Sequence, residues 1–186
     1  RTIVIHPGIS RRNVKKKIDS KSINILFAGV WFERKGGIVL LRAHHELKKK
    51  YKNLRLTILG PIPKYVNLKN SEIIQHDFVS YQRLLNEFYP SADIFVLVPP
   101  RVEGYGLVVL EAMSFGIPCV VSNIGALPEM VQNENNGLIV KPGSVTSLKK
   151  ALERLIRDRN FRKRLGKNAR QRYLQKFTIS KRSSNE

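Results

Sequence analysis

Short runs of Ile, Val and Leu with little polar alternation recur along the chain at residues 2–6, 23–28, 54–59, 72–76, 93–98, 118–122 and 137–140. Strands of that composition are buried on both faces, as in a parallel sheet. Between them apolar side chains fall at helical spacing: Leu40, His44, Leu47 and Tyr51; Tyr81, Leu84, Leu85 and Phe88; Val145, Leu148, Leu152 and Leu155. A last pattern, Phe161, Leu165, Ala169 and Tyr173, closes the domain. Strands alternating with helices imply right-handed βαβ crossovers and an α/β fold, a doubly wound Rossmann-like parallel sheet with helices on both faces. Residues 1–179 read as that one domain, with a basic linker at 9–22 and a disordered tail at 180–186. Ligands of such sheets bind beyond the strand C-termini, where loops lead into helix N-termini.

Composition narrows this further. The length of 186 residues suits one domain with a sizeable core. Cys119 is the single cysteine, so there is no disulfide framework, and no Cys/His cluster has zinc-ligand spacing. No apolar run approaches the ~18 residues of a membrane span, and no leader-like segment begins the chain, which reads as cytoplasmic. It opens on Arg1, with methionine only at 113 and 130, and is expected to be part of a longer protein.

The net charge of +20 is unevenly distributed: +12 over residues 1–60, −4 over 61–140 and +12 over 141–186. Nucleic acid is the first partner such a charge suggests. The placement argues otherwise. Lys48, Lys49, Lys50 and Lys52 end one helical pattern, and Arg154, Arg157, Arg162, Lys163, Lys167 and Arg170 alternate with apolar positions in others. Solvated helix faces and favourable helix C-termini account for them, with an anionic membrane surface as the second reading and nucleic acid as the third.

Two strand-to-helix junctions are chemically unusual. In the first, residues 27–37, Gly29 lets the chain turn, and Gly36 and Gly37 suit a backbone that approaches a ligand closely. Arg34 and Lys35 sit beside the N-terminus of the following helix, an end where the dipole disfavours cations by about a few tenths of a kcal/mol. A bound anion resolves that conflict; extension of both side chains into solvent is the alternative. In the second, residues 98–113, Pro99 and Pro100 end a strand and a helix begins near Tyr105 or Gly106. Gly104 and Gly106 strip side chains from its entrance, so its N–H groups can face a phosphate. Glu103 precedes the helix, as a ligand group or as a capping carboxylate. Glu111 lies within it among Leu107, Val108 and Phe115, in a helix expected to be buried all round. A carboxylate there needs hydrogen-bond partners, and ligand hydroxyls can supply them.

The stretch from Glu103-Gly-Tyr-Gly-Leu-Val-Val-Leu-Glu111 to Glu129 resembles the E-x7-E signature and its continuation in retaining, family 4 (group 1) glycosyltransferases. Residues 4–9, Lys35-Gly36 and residues 137–140 are similar to further motifs of that family, in the same order. The resemblance implies one half of a GT-B fold, the C-terminal half that holds a nucleotide-sugar donor, with the N-terminal acceptor domain absent. It implies that Lys35 contacts the donor diphosphate, that Glu103 addresses the sugar at the reacting end, and that Glu111 binds ribose hydroxyls. Backbone N–H groups of Gly104, Tyr105, Gly106 and Leu107 would meet the diphosphate. Many members carry Arg where this chain has Val30, and Arg34 is the candidate replacement. Pro100 stands for a frequent serine and Asp77 for a common glycine.

The expected reaction is sugar transfer with retained anomeric configuration to a glycan or lipid-linked acceptor, the leaving diphosphate being stabilised by preorganised charge. No metal or other cofactor is expected; the chain has no Asp-x-Asp. The missing N-terminal half would carry most acceptor groups, leaving this fragment inactive alone. Hydrolysis by two carboxylates, an epimerase or phosphorylase on the same fold, and a nucleic-acid module are the rival readings. Cys119, His44 and His45 read as structural, His6 as a group at the interdomain entrance, and Trp31 as packing or lining the cleft.

Overall fold

The computed structural model describes residues 22–66, 68 and 72–178; the expected strand at 2–6 with His6, the linker up to residue 21 and the tail at 180–186 lie outside them. Six strands form one parallel sheet: β1 (Ile23–Ala28), β2 (Leu54–Leu59), β3 (Ile73–His76), β4 (Ile94–Leu97), β5 (Cys119–Ser122) and β6 (Gly137–Val140). Their spatial order is β3-β2-β1-β4-β5-β6. The chain winds outward from β1 to β3 and then returns to β4 on the other side of β1. The reversal leaves a crevice at the carboxyl ends of β1 and β4. The two junctions singled out in the sequence are the two loops that line it.

Successive residues of β1 enter opposite cores, as the two-residue period of a strand requires. Ile25 and Phe27 pack with α1 (Gly37–Lys50) and α6 (Val145–Arg157), while Leu26 and Ala28 face the side of α4 (Leu107–Ser114). The last helix, α7 (Arg159–Lys176), joins both layers: Phe161 and Leu165 enter the first core, Ala169 and Tyr173 the second. Three expectations are corrected. The edge strand β3 exposes Ile74 and Gln75, because no element among the described residues covers them, so it is not buried on both faces. The helical pattern at 81–88 is not one regular helix but α2 (Tyr81–Arg83), a π turn at Leu84–Phe88 and α3 (Tyr89–Ser91). A short helix, α5 (Leu127–Met130), occupies a stretch in which no helix is expected.

Several basic side chains are held in surface ion pairs between elements, among them Lys50–Glu153 and Lys149–Glu46, which bridge α1 and α6. Solvent screens exposed pairs of this kind, so they add little to stability. Among the described residues no helix is long and apolar enough to cross a membrane.

Buried His44 on α1 gives the fold an acid-sensitive point. Its ring is 2% exposed and its Nε2 has no hydrogen-bond partner among the described residues. Burial, and then the charge of Lys48, lower its pKa to about 4. Between the ordinary value near 6.5 and about 4 the unfolded chain holds a proton that the folded chain does not, so stability is lost as pH falls through that window. The full loss is about 3 kcal/mol. His44→Leu is expected to flatten that part of the profile, read as the difference between variant and parent in urea titrations at pH 7 and pH 4.5.

Candidate functional site

The loop after β1 is shaped by its own apolar anchor. Phe32 is buried, edge-on to Phe27 at 5.5 Å, and its carbonyl accepts from Gly37 N–H at 2.8 Å. This closes a turn in which Gly36 adopts φ 88°, a left-handed conformation suited to glycine. The carbonyl of Lys35 accepts from Val98 N–H at 3.2 Å and so ties the loop to the end of β4. The Lys35 stem lies over Gly29, where a Cβ would meet its Cδ at 2.4 Å. Its Nζ reaches across the crevice to Glu103 Oε2 at 2.9 Å, with side-chain exposures of 14% and 6%.

Glu103 is placed from the other side. Pro99 and Pro100 follow β4, and the loop after β5 packs beneath: a Cβ on Gly125 would lie 2.2 Å from the Glu103 carbonyl oxygen. Gly106, at φ 71°, caps α4, and neither α4 nor α1 has a side-chain cap or an acidic residue in its first turn. Elsewhere Ser80, Ser144 and Asp158 accept hydrogen bonds at the starts of α2, α6 and α7. The starts of α1 and α4, which meet at the crevice, thus lack the side-chain acceptor that α2, α6 and α7 have, and their free N–H groups suit an anion.

Glu111 is buried, but not among apolar groups alone. Tyr89 donates to its Oε2 at 2.7 Å and Tyr81 to its Oε1 at 3.1 Å. Burial, and then the adjacent Glu111 charge, hold the Tyr89 phenol well above its ordinary pKa. Tyr89 is thus a hydrogen-bond donor at working pH.

Around this crevice, seven large apolar side chains are exposed: Val30, Trp31, Tyr65, Phe78, Tyr81, Val102 and Leu107. All follow the carboxyl ends of β1 to β4. Exposed apolar side chains grouped in this way suit a ligand-binding groove or an interaction surface.

Residues 10–172 match the sequence profile described as glycosyl transferases group 1. The chain belongs to that family. It is 31% identical over 176 residues to an uncharacterised glycosyltransferase of Methanocaldococcus jannaschii, a match covering 90% of this chain and 44% of the relative. The chain thus spans about half the length of the curated relatives it matches. Among solved structures, it superposes on the C-terminal domain of a glycosyl transferase group 1 family protein from Francisella tularensis with a TM-score of 0.79 and 23% identity, over 92% of this chain and 100% of that one. An Anabaena protein crystallised with UDP-glucose matches with a TM-score of 0.72 and 18% identity, over 87% of this chain and 46% of that one. The fold is the C-terminal type of GT-B half.

In this group 1 domain the expected residues fall into two sets. Lys35, Glu103, Gly104 and Gly106 gather at the switch point, and Glu111 stands one helical turn further into α4. Arg34 is exposed on the same turn, but the ion pair with Glu103 belongs to Lys35. Leu107 is 45% exposed and Val108 half-buried, so α4 is not buried all round: its first turn opens to the crevice and only Val109–Ser114 are enclosed. Tyr105 packs its ring against the core beside α4. Two site residues escaped the sequence reading, Tyr81 and Tyr89. Their signal was Pro90, directly after Tyr89, which is incompatible with a regular helix through 81–91.

Proposed function

We propose that this chain is the donor half of a glycosyltransferase that moves a sugar from a nucleoside diphosphate to a glycan or lipid-linked acceptor with retention of configuration. The observation that carries this reading is the Lys35–Glu103 pair, 2.9 Å apart across the switch point. A cation and a carboxylate side by side there suit the two sides of a sugar–diphosphate bond. Lys35 and the uncapped helix starts would balance charge as the diphosphate leaves, and Glu103 would orient the sugar and face the positive charge developing on it. The preorganisation is electrostatic: Phe32, Gly36 and the loop after β5 set both groups before any ligand arrives.

The Anabaena neighbour with UDP-glucose supports a nucleotide-sugar ligand for this fold. The apolar rim and the half-length coverage of relatives support an opposing domain that would supply the acceptor site. Calorimetry with UDP, GDP and ADP sugars is expected to show binding of at least one, weakened about tenfold or more by Glu111→Ala through the loss of hydroxyl contacts to a charged acceptor. Failure of every member to bind the parent chain would sink the donor-site assignment.

A further inference from the structure

Tyr81 and Tyr89 are eight positions apart, a spacing that leaves two side chains about 80° apart around a regular α-helix. Both nevertheless reach one carboxylate, Glu111, at 3.1 and 2.7 Å. The π turn between them makes this possible. Pro90 has no N–H, and in a regular α-helix its ring would collide with the carbonyl of Asn86. The chain widens instead, Tyr89 N–H bonding the carbonyl of Leu84 five residues back. The wider turn takes up the additional residue and brings the two phenols to one side.

Their surroundings differ sharply. Tyr89 is 1% exposed and wedged between rings, stacked on Phe115 at 5.2 Å and tilted against Phe95 at 6.2 Å. Tyr81 is 50% exposed at the crevice rim. The carboxylate therefore has one oxygen tied to an immobile donor inside the domain and the other tied to a donor at the surface.

We propose that Tyr89 is a positioning residue, which fixes the Glu111 carboxylate for ribose recognition, and that Tyr81 is an exchangeable cap, which occupies Oε1 until a ligand hydroxyl displaces it. This rests on the donor-site reading given above. Tyr89 keeps a buried carboxylate hydrogen-bonded and aimed at no cost when ligand arrives, because its hydrogen bond is unchanged by binding. Tyr81 satisfies Oε1 in the ligand-free state, and its hydroxyl can return to water when released.

The test measures, by calorimetry on the 186-residue chain, the affinities of UDP, GDP and ADP and of the 2′-deoxy and 3′-deoxy counterparts of whichever binds. The readout is the ratio of deoxy to ribo dissociation constants, which general loosening of the fold does not change. The parent chain is expected to discriminate by about tenfold or more, as for a hydroxyl bound to a charged acceptor. Tyr89→Phe is expected to reduce that ratio to below about threefold with an unchanged circular dichroism spectrum, whereas Tyr81→Phe keeps the ratio and binds ribonucleotide at least as tightly. If Glu111→Gln abolishes discrimination but Tyr89→Phe preserves it, the positioning role is overturned and the donor site stands. If Tyr81→Phe loses discrimination as Tyr89→Phe does, the division of roles is wrong. If Glu111→Gln leaves the ratio unchanged, or no nucleotide binds, the ribose assignment fails and the tyrosine roles with it.

Discussion

Lys35→Met is expected to weaken nucleoside-diphosphate binding by about ten- to a hundredfold, the effect of removing a charge-assisted phosphate contact. It is also expected to destabilise the free chain by about 2–3 kcal/mol, somewhat below the ~3–5 kcal/mol typical of breaking a fully buried pair, because Lys35 remains 14% exposed. The two effects have different causes. Stability falls because Glu103, with only 6% of its side chain exposed, is left without its cation. Binding falls because no positive charge remains for the diphosphate. Methionine retains an unbranched apolar stem over Gly29, so the comparison isolates the ammonium group. Adding Glu103→Gln should restore most of the stability, since both charges then leave together, without restoring binding. Urea titrations and nucleotide calorimetry on the two variants separate these outcomes. Full recovery of binding in the double variant would remove Lys35 from the diphosphate.

The largest structural effect is expected at Gly36. A Cβ at this left-handed position would stand 2.0 Å from the Val98 carbonyl oxygen and 2.5 Å from its carbon. Both are backbone atoms at the end of β4, so relief requires the β1 loop to withdraw from β4. That withdrawal would break the Val98–Lys35 backbone bond and open the crevice. Together with the cost of left-handed backbone for alanine, Gly36→Ala should lose about 4 kcal/mol or more. Gly104 is the matched control. A Cβ there meets nothing within 4 Å, so Gly104→Ala should change stability by less than about 0.5 kcal/mol. Its methyl group would project into open crevice, however, and nucleotide affinity should drop where a ligand needs close approach to backbone. Thermal melts of the two variants, read beside their nucleotide affinities, distinguish a glycine required by the fold from one required by a ligand. A Gly36→Ala chain within about 1 kcal/mol of the parent would contradict the packing described here.

Most of the sheet was legible because its strands are buried on both faces. Runs such as Ile25-Leu26-Phe27 and Phe95-Val96-Leu97 read as parallel strands because each alternate side chain enters a different core. Edge strand β3 read less well, since its pattern reflects solvent on one side. Glycine placement at 36, 104 and 106 pointed to the crevice because close backbone approach and helix N-termini leave a compositional trace. The π turn left a weaker one, a lone proline after a tyrosine, easily absorbed into an amphipathic pattern.

By itself, the sequence determined the layers and the two junctions, since residue type and local spacing carry that information, while the resemblance to group 1 glycosyltransferases joined Lys35, Glu103 and Glu111 in one expected site. The strand order decided that the two junctions face each other, and so that residues 68 positions apart form one ion pair. Tertiary packing also decided what Glu111 touches. A buried carboxylate must find donors, but only the folded chain, with its widened turn, determines that those donors are Tyr81 and Tyr89.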